Sequence, residues 1–166
     1  MSFDVNQLLR PYVLAIKPYT SARDEFDTQT EDFVYLDANE NPFPNGVNRY
    51  PDPQQKALKL VLAQKMAVSS DQLLLGNGSD EVLDLIFRAF CEPSQDEILI
   101  MPPTYGMYKV LAEINQITLR EVPLSIDFQL DIKSILSTIN PRTKAIFLCS
   151  PNNPSGNSFQ EKDIEK

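Results

Sequence analysis

"EILIMPPTYGMYKVLAEIN", residues 97–115, changes its period half-way along. The mostly apolar run at 97–101 reads as a buried strand. After the turn residues "PPTYG", Met107, Val110, Leu111 and Ile114 recur at helical spacing on one predicted face. A further strand is expected near 117–122, so the unit is strand, helix, strand, the connection that parallel strands require. The same alternation extends outward. Upstream, "QLLLGNGSDEVLDLIFRAFCEP" predicts a short strand, a glycine turn and a helix over 80–91. Before it, a helix is expected over 54–67, with Ala57, Leu58, Val61, Leu62 and Met66 at helical spacing. Downstream, Asp131 suits the N-cap of a helix over 132–138, because its carboxylate can accept an orphan amide of the first turn. "NPRT" then turns into a strand at 144–149. Repeated alternation of this kind predicts an α/β fold, a mainly parallel sheet flanked by helices.

The chain has 166 residues, 42% of them hydrophobic, enough for one globular core. Residues 1–50, rich in Pro, Asn, Asp and Thr, read as an N-terminal arm, and residues 51–166 as the domain. A net charge of -8 opposes non-specific binding to nucleic acid or to an anionic membrane, so neither is expected as a partner. With no membrane-length apolar run and no secretory pattern at the start, the expected compartment is the cytoplasm. Cys91 and Cys149 lack metal-type spacing and end apolar runs, which places both in the predicted core, and no metal site is expected. The chain contains no histidine. That excludes hydrolase triads built on imidazole and most catalytic zinc sites, and directs any chemistry to a bound cofactor. Ser158 and Glu161 have capping-box spacing, predicting a helix from Phe159 that the last residue, Lys166, cuts short. The expectation is the front portion of a longer protein.

The candidate chemistry lies in the turns that follow the strands, where ligands of open α/β sheets collect. In "GNGSDE", Gly76 and Gly78 precede a helix beginning near Ser79 and Asp80, and free amides there suit a phosphate. An ordinary tight turn with Ser79 or Asp80 capping the helix is the competing reading. The carboxylates of Asp80 and Glu81 must in either case turn away from an anion. In "PPTYGMY", Tyr105 stands in the turn, able to lay its ring on a planar ligand, while Tyr108 lies one turn into the helix; both could instead simply cover the sheet. In "CSPNNPSG", residues 149–156, an asparagine held between prolines offers a defined donor. Phosphate amides, a stacking ring and an amide for a ring oxygen together suit pyridoxal 5'-phosphate.

"LDANENPFP", "NRYPDP", "GNGSDE", "RAFCEP", "PPTYGMY" and "CSPNNPSG", in this order, resemble the N-terminal part of the histidinol-phosphate aminotransferases, fold-type-I pyridoxal phosphate enzymes. The likeness spans nearly the whole chain. It implies that Ser79, with the Asp80 amide, holds the cofactor phosphate, that Tyr105 stacks on the pyridine ring, and that Asn153 bonds the phenolic oxygen. By the same resemblance Tyr50 reaches the phosphate of a neighbouring subunit's cofactor in a homodimer, and Tyr19, Asn39 and Glu40 lie near the substrate; for Tyr19, packing of the arm is an equal alternative. Residues 51–166 would then be part of the cofactor-binding large domain. The lysine that carries the cofactor as a Schiff base lies, in the family, beyond the matched motifs, so no catalytic residue is assigned here. Lys109 and Lys144 read as solvated. The implied reaction is a ping-pong exchange between L-histidinol phosphate and 2-oxoglutarate, yielding glutamate, in histidine biosynthesis, with this chain alone inactive. A threonine-phosphate decarboxylase or an aromatic aminotransferase would share these motifs. A non-catalytic phosphate-binding domain is the alternative of another class.

Overall fold

The computed structural model describes residues 4–20, 36 and 38–165. They fall into two compact units, one of Met1–Ala15 with Gly76–Lys166, the other of Ile16–Leu75.

The first unit carries the sheet. Its elements are the short helix α1 (Pro11–Leu14), with α2 reserved for the helix Lys56–Met66 of the second unit, then α3 (Ser79–Phe90), β1 (Glu97–Ile100), α4 (Met107–Ile114), β2 (Thr118–Glu121), α5 (Ile132–Thr138), β3 (Thr143–Phe147) and α6 (Glu161–Ile164). The sheet has the order β2-β1-β3, and both pairings are parallel. As the central strand, β1 is buried along its whole length, which explains its nearly continuous apolar sequence. Its side chains alternate between two cores. Ile98 and Ile100 join Phe87, Cys91, Tyr108, Leu111, Ala112, Ile117 and Phe147 on the face covered by α3 and α4. Leu99 and Met101 join Val122 and Ile135 on the face covered by α5. This is the predicted α/β arrangement, helices on both faces of a parallel sheet.

The odd residue in β1 is Glu97, fully buried at the start of the strand. Its carboxylate accepts from Arg120 Nε at 3.1 Å, Arg142 Nη2 at 3.2 Å and Thr143 Oγ1 at 3.2 Å, and also from the Asn140 amide. Burial pushes its pKa up, but the hydrogen bonds from Asn140, Arg120 and Thr143 and the Arg120 charge outweigh it, leaving the pKa below the ordinary 4.5. One carboxylate thus fastens β1 to β2 and to the entrance of β3. At the other end of α3, Arg10 donates to Glu92 Oε2 at 3.0 Å and to the Arg88 carbonyl at 2.9 Å, tying the N-terminal segment to this unit.

Several expected details differ. The apolar segment 73–75 pairs with no strand; Ser70–Gln72 forms a 3-10 turn, with Ser69 and Gln72 closing a capping box, and the chain runs on extended but without a ladder. On α4 the buried residues are Tyr108, Leu111 and Ala112, whereas Val110 and Ile114 face solvent. Ala112 explains the rotation, since a small side chain lets the helix lie close to the sheet. Ser158 caps nothing: α6 starts at Glu161, because Phe159 is buried and its amide is held by Ser150 Oγ at 3.3 Å. Asp131 does cap α5, accepting from Ser134 N at 3.1 Å.

In the second unit, α2 begins after Gln55, whose φ is +49°, and ends at Ala67 with φ +55°. Asp52 accepts from Gln54 N at 2.9 Å and Lys56 N at 2.8 Å, which satisfies amides at the helix entrance. Only Ala63 is buried on α2, so the apolar residues Leu58, Val61 and Met66 are exposed in this chain.

Candidate functional site

The first part of the site is the entrance to α3. Gly78 is its N-cap with φ +90°, a conformation that side-chain-bearing residues rarely adopt, and no side chain caps the helix. Gly76 is required for a different reason: a Cβ there would stand 2.9 Å from both Glu81 Oε2 and Val82 Cγ2. Glu81 reaches back to accept from Asn77 N at 2.5 Å. The neighbouring Asp80 turns toward Tyr105, whose hydroxyl donates to Oδ1 at 2.9 Å, with Oδ2 at 3.2 Å. The two carboxylates are therefore held by named partners, and Ser79 stands exposed at the first position of the helix. The expectation that Ser79 or Asp80 would cap the helix is not met.

The second part follows β1. Pro102–Gly106 leads into α4 and leaves the Tyr105 ring half-buried, edge-on to Tyr108 with centroids 5.7 Å apart. Tyr108 stacks on Phe147 at 4.9 Å, and Phe147 on Phe87 at 5.2 Å. A file of aromatic rings thus runs from the core to Tyr105. Burial, and then the neighbouring Cys149, push the Tyr108 phenol up to about 12. Its hydrogen bond to Asp80, followed by burial, raises the Tyr105 phenol above its ordinary value.

The third part follows β3, and there the two asparagines of "CSPNNPSG" divide their tasks. Asn152, only 3% exposed, donates its side-chain amide to the Pro103 carbonyl at 2.9 Å and to Ser155 Oγ at 2.6 Å, and its backbone carbonyl accepts from Gly156 N at 2.7 Å. It locks the loop after β3 onto the loop after β1. Asn153 is thereby left exposed.

These parts converge. A pocket of about 580 Å³ is lined by Ser79, Val82, Leu83, Tyr105, Tyr108, Cys149 and Asn153. Of the residues singled out in the sequence, Ser79, Tyr105 and Asn153 share this pocket, and Asp80 joins them through the Tyr105 hydroxyl. The others lie in the second unit. Tyr19 is 91% exposed, Asn39 is exposed, and Glu40 accepts from Arg49 Nη1 at 2.6 Å and Tyr50 N at 2.8 Å, which fixes the backbone beside the exposed Tyr50 ring. Asn152 and Cys149 were not expected here. Cys91 is core, as predicted, but Cys149 is half-buried on the pocket wall. Strand alternation holds the signal, since it puts Cys149 on the same side as Phe147. Chemically, the pocket offers an uncapped helix start with a hydroxyl for an anion, an aromatic face for a planar ring, and an amide for a polar substituent. Among the described residues no group of His, Cys, Asp and Glu is placed to hold a metal ion.

The profile of the aminotransferase class I and II family matches residues 30–166. The chain belongs to the class I and II aminotransferases. Among members of this family, a histidinol-phosphate aminotransferase of Christiangramia forsetii is 61% identical over 163 residues, 98% of this chain and 47% of that protein. One from Bacteroides thetaiotaomicron is 49% identical over 162 residues, 98% of this chain and 46% of that protein. The chain spans about half the length of the curated aminotransferases it matches. The solved alanine aminotransferase from Pyrococcus furiosus superposes with a TM-score of 0.59 at 32% identity, over 68% of this chain and 29% of that one. The histidinol-phosphate aminotransferase from Clostridium acetobutylicum shares the fold, with a TM-score of 0.61 at 24% identity over 70% of this chain and 34% of that one.

Proposed function

We propose that this chain supplies part of the pyridoxal phosphate site of a cytoplasmic, homodimeric histidinol-phosphate aminotransferase, which exchanges an amino group between L-histidinol phosphate and 2-oxoglutarate. The observation that carries the reading is the meeting of Ser79, Tyr105 and Asn153, from three separate turns, at one pocket. The donor set fits the cofactor. At the helix start, Glu81 and Asp80 are engaged with Asn77 and Tyr105, and the exposed Ser79 stands beside amides suited to an anion.

When bound, the cofactor supplies the electron sink for bond changes at the amino-bearing carbon. The residues of this chain bind and orient it. Ser79, through its hydroxyl and backbone, and the Asp80 amide hold the phosphate; Tyr105 stacks on the ring; Asn153 donates to the phenolic oxygen. Tyr50 reaches the phosphate in a neighbouring subunit, and Tyr19, Asn39 and Glu40 serve the substrate. In this reading residues 1–50 act as an arm, and residues 51–166 belong to the cofactor-binding domain. No lysine lines the pocket among the described residues, which supports the view that this chain alone does not transaminate.

The test is amino transfer by the full-length protein, with histidinol phosphate compared against threonine phosphate and aromatic amino acids. Preference for histidinol phosphate supports the reading, and failure with it alone would sink the substrate assignment. For the isolated chain, pyridoxal phosphate followed by borohydride is expected to leave no single lysine stoichiometrically labelled. One uniquely labelled lysine would refute the assignment of the covalent attachment to another part of the protein.

A further inference from the structure

Asp80 contributes to the pocket twice. Its backbone stands in the first turn of α3, beside Ser79, while its carboxylate receives the hydroxyl of Tyr105, a residue 25 positions away in the turn after β1. We infer that Asp80 is a positioning residue, whose carboxylate holds the Tyr105 ring in register with the anion-binding start of α3, so that phosphate cradle and stacking platform move as one piece. The inference rests on the reading of the pocket as a cofactor site.

The geometry favours this over a merely structural contact. A tyrosine ring turns about two side-chain bonds. Edge contact with Tyr108, at an interplanar angle of 86°, restrains one side of it, and the hydroxyl at the far tip is held by both Asp80 oxygens at 2.9 and 3.2 Å. Neither Asp80 nor Tyr105 is fully buried, so the bond is not needed to fill a core. The same bond points the Asp80 charge at a donor and resolves the conflict of a carboxylate beside a phosphate site.

The test is a double-mutant cycle on the full-length protein, reading the dissociation constant for pyridoxal phosphate in the unmutated protein, Asp80→Ala, Tyr105→Phe and the double variant. Tyr105→Phe keeps the ring and removes only the tip. Each single variant is expected to weaken binding by about fivefold to tenfold, and the double variant by no more than the worse single one. Asp80→Asn, which can still accept the hydroxyl, is expected to recover most of the affinity. A second readout needs no cofactor: the tyrosine ring-carbon resonance that Tyr105→Phe abolishes should titrate above the ordinary phenol value in the unmutated protein and shift downward in Asp80→Ala, where the hydrogen bond and the charge of the carboxylate are gone. Losses that multiply in the double variant, or a Tyr105 titration indifferent to Asp80, would overturn the inference while leaving the cofactor site standing. Failure of the unmutated protein to bind pyridoxal phosphate would overturn both.

Discussion

Adjacent asparagines with opposite fates illustrate how little chemical identity alone determines. Asn152 is buried and bonded to two loops, and Asn153 is exposed on the pocket wall. Asn152→Ala should therefore cost about 2 kcal/mol of stability, through lost bonds and an unsatisfied Pro103 carbonyl, as denaturant unfolding would register. Asn153→Ala should leave stability within about 0.5 kcal/mol but weaken pyridoxal phosphate binding about tenfold, as an absorbance titration of the full-length protein would record. The cysteines form a second contrast. Burial, and then the charge of Asp96, push the Cys91 thiol up to about 11, whereas Cys149 is half-buried on the pocket wall. Iodoacetamide at mild pH should label Cys149 well before Cys91, with peptide mapping as the check. The motif pointed to Asn153, and the structure puts that residue on the pocket wall. The sequence did not reveal Asn152 as the lock, since that depends on the Pro103 carbonyl 49 residues away.

At the scale of elements, the period of the sequence located most helices and strands, although on α4 it missed that Val110 and Ile114 face solvent. β1, α3 and α5 stand close to where their apolar patterns and the Asp131 cap put them. The apolar run at 73–75 misled for lack of a ladder, and Ser158 misled because burial of Phe159 delays the helix. Period reports that one face is apolar, whereas contact decides which side chains are buried. For α3, that contact is Phe87, completely buried and stacked on Phe147 at an interplanar angle of 9°. Phe87→Ala should lower stability by about 4 kcal/mol, measured by chemical denaturation, because it empties the junction of helix and sheet. Gly76→Ala should disturb the α3 entrance as well, since its Cβ would press on Val82 and on the Glu81 carboxylate that holds Asn77.

For the unit that holds the sheet, a buried carboxylate with two arginine partners stands at the end of the strands remote from the pocket. Glu97 fastens all three strands there, and the depressed pKa fixes the sign of its pH dependence. Its stabilisation is complete above about pH 4.5 and is lost as the pH falls through the lower folded-state value. Glu97→Gln should accordingly be less stable than the unmutated protein at neutral pH, with the gap closing in acid, as urea unfolding across pH would reveal. Glu97→Ala should cost about 3 kcal/mol at neutral pH, the low end for a broken buried ion pair, because the arginine heads can rehydrate. The opposite end of the sheet has its own consequence. Ser79, Tyr105 and Asn153 come from turns far apart in the chain, joined only after β3 lies beside β1 and Asn152 latches to Pro103. Such distant partners meet late in folding. The pocket is therefore a clock as much as a container: a nascent chain brings these three turns together only once β3 has joined β1.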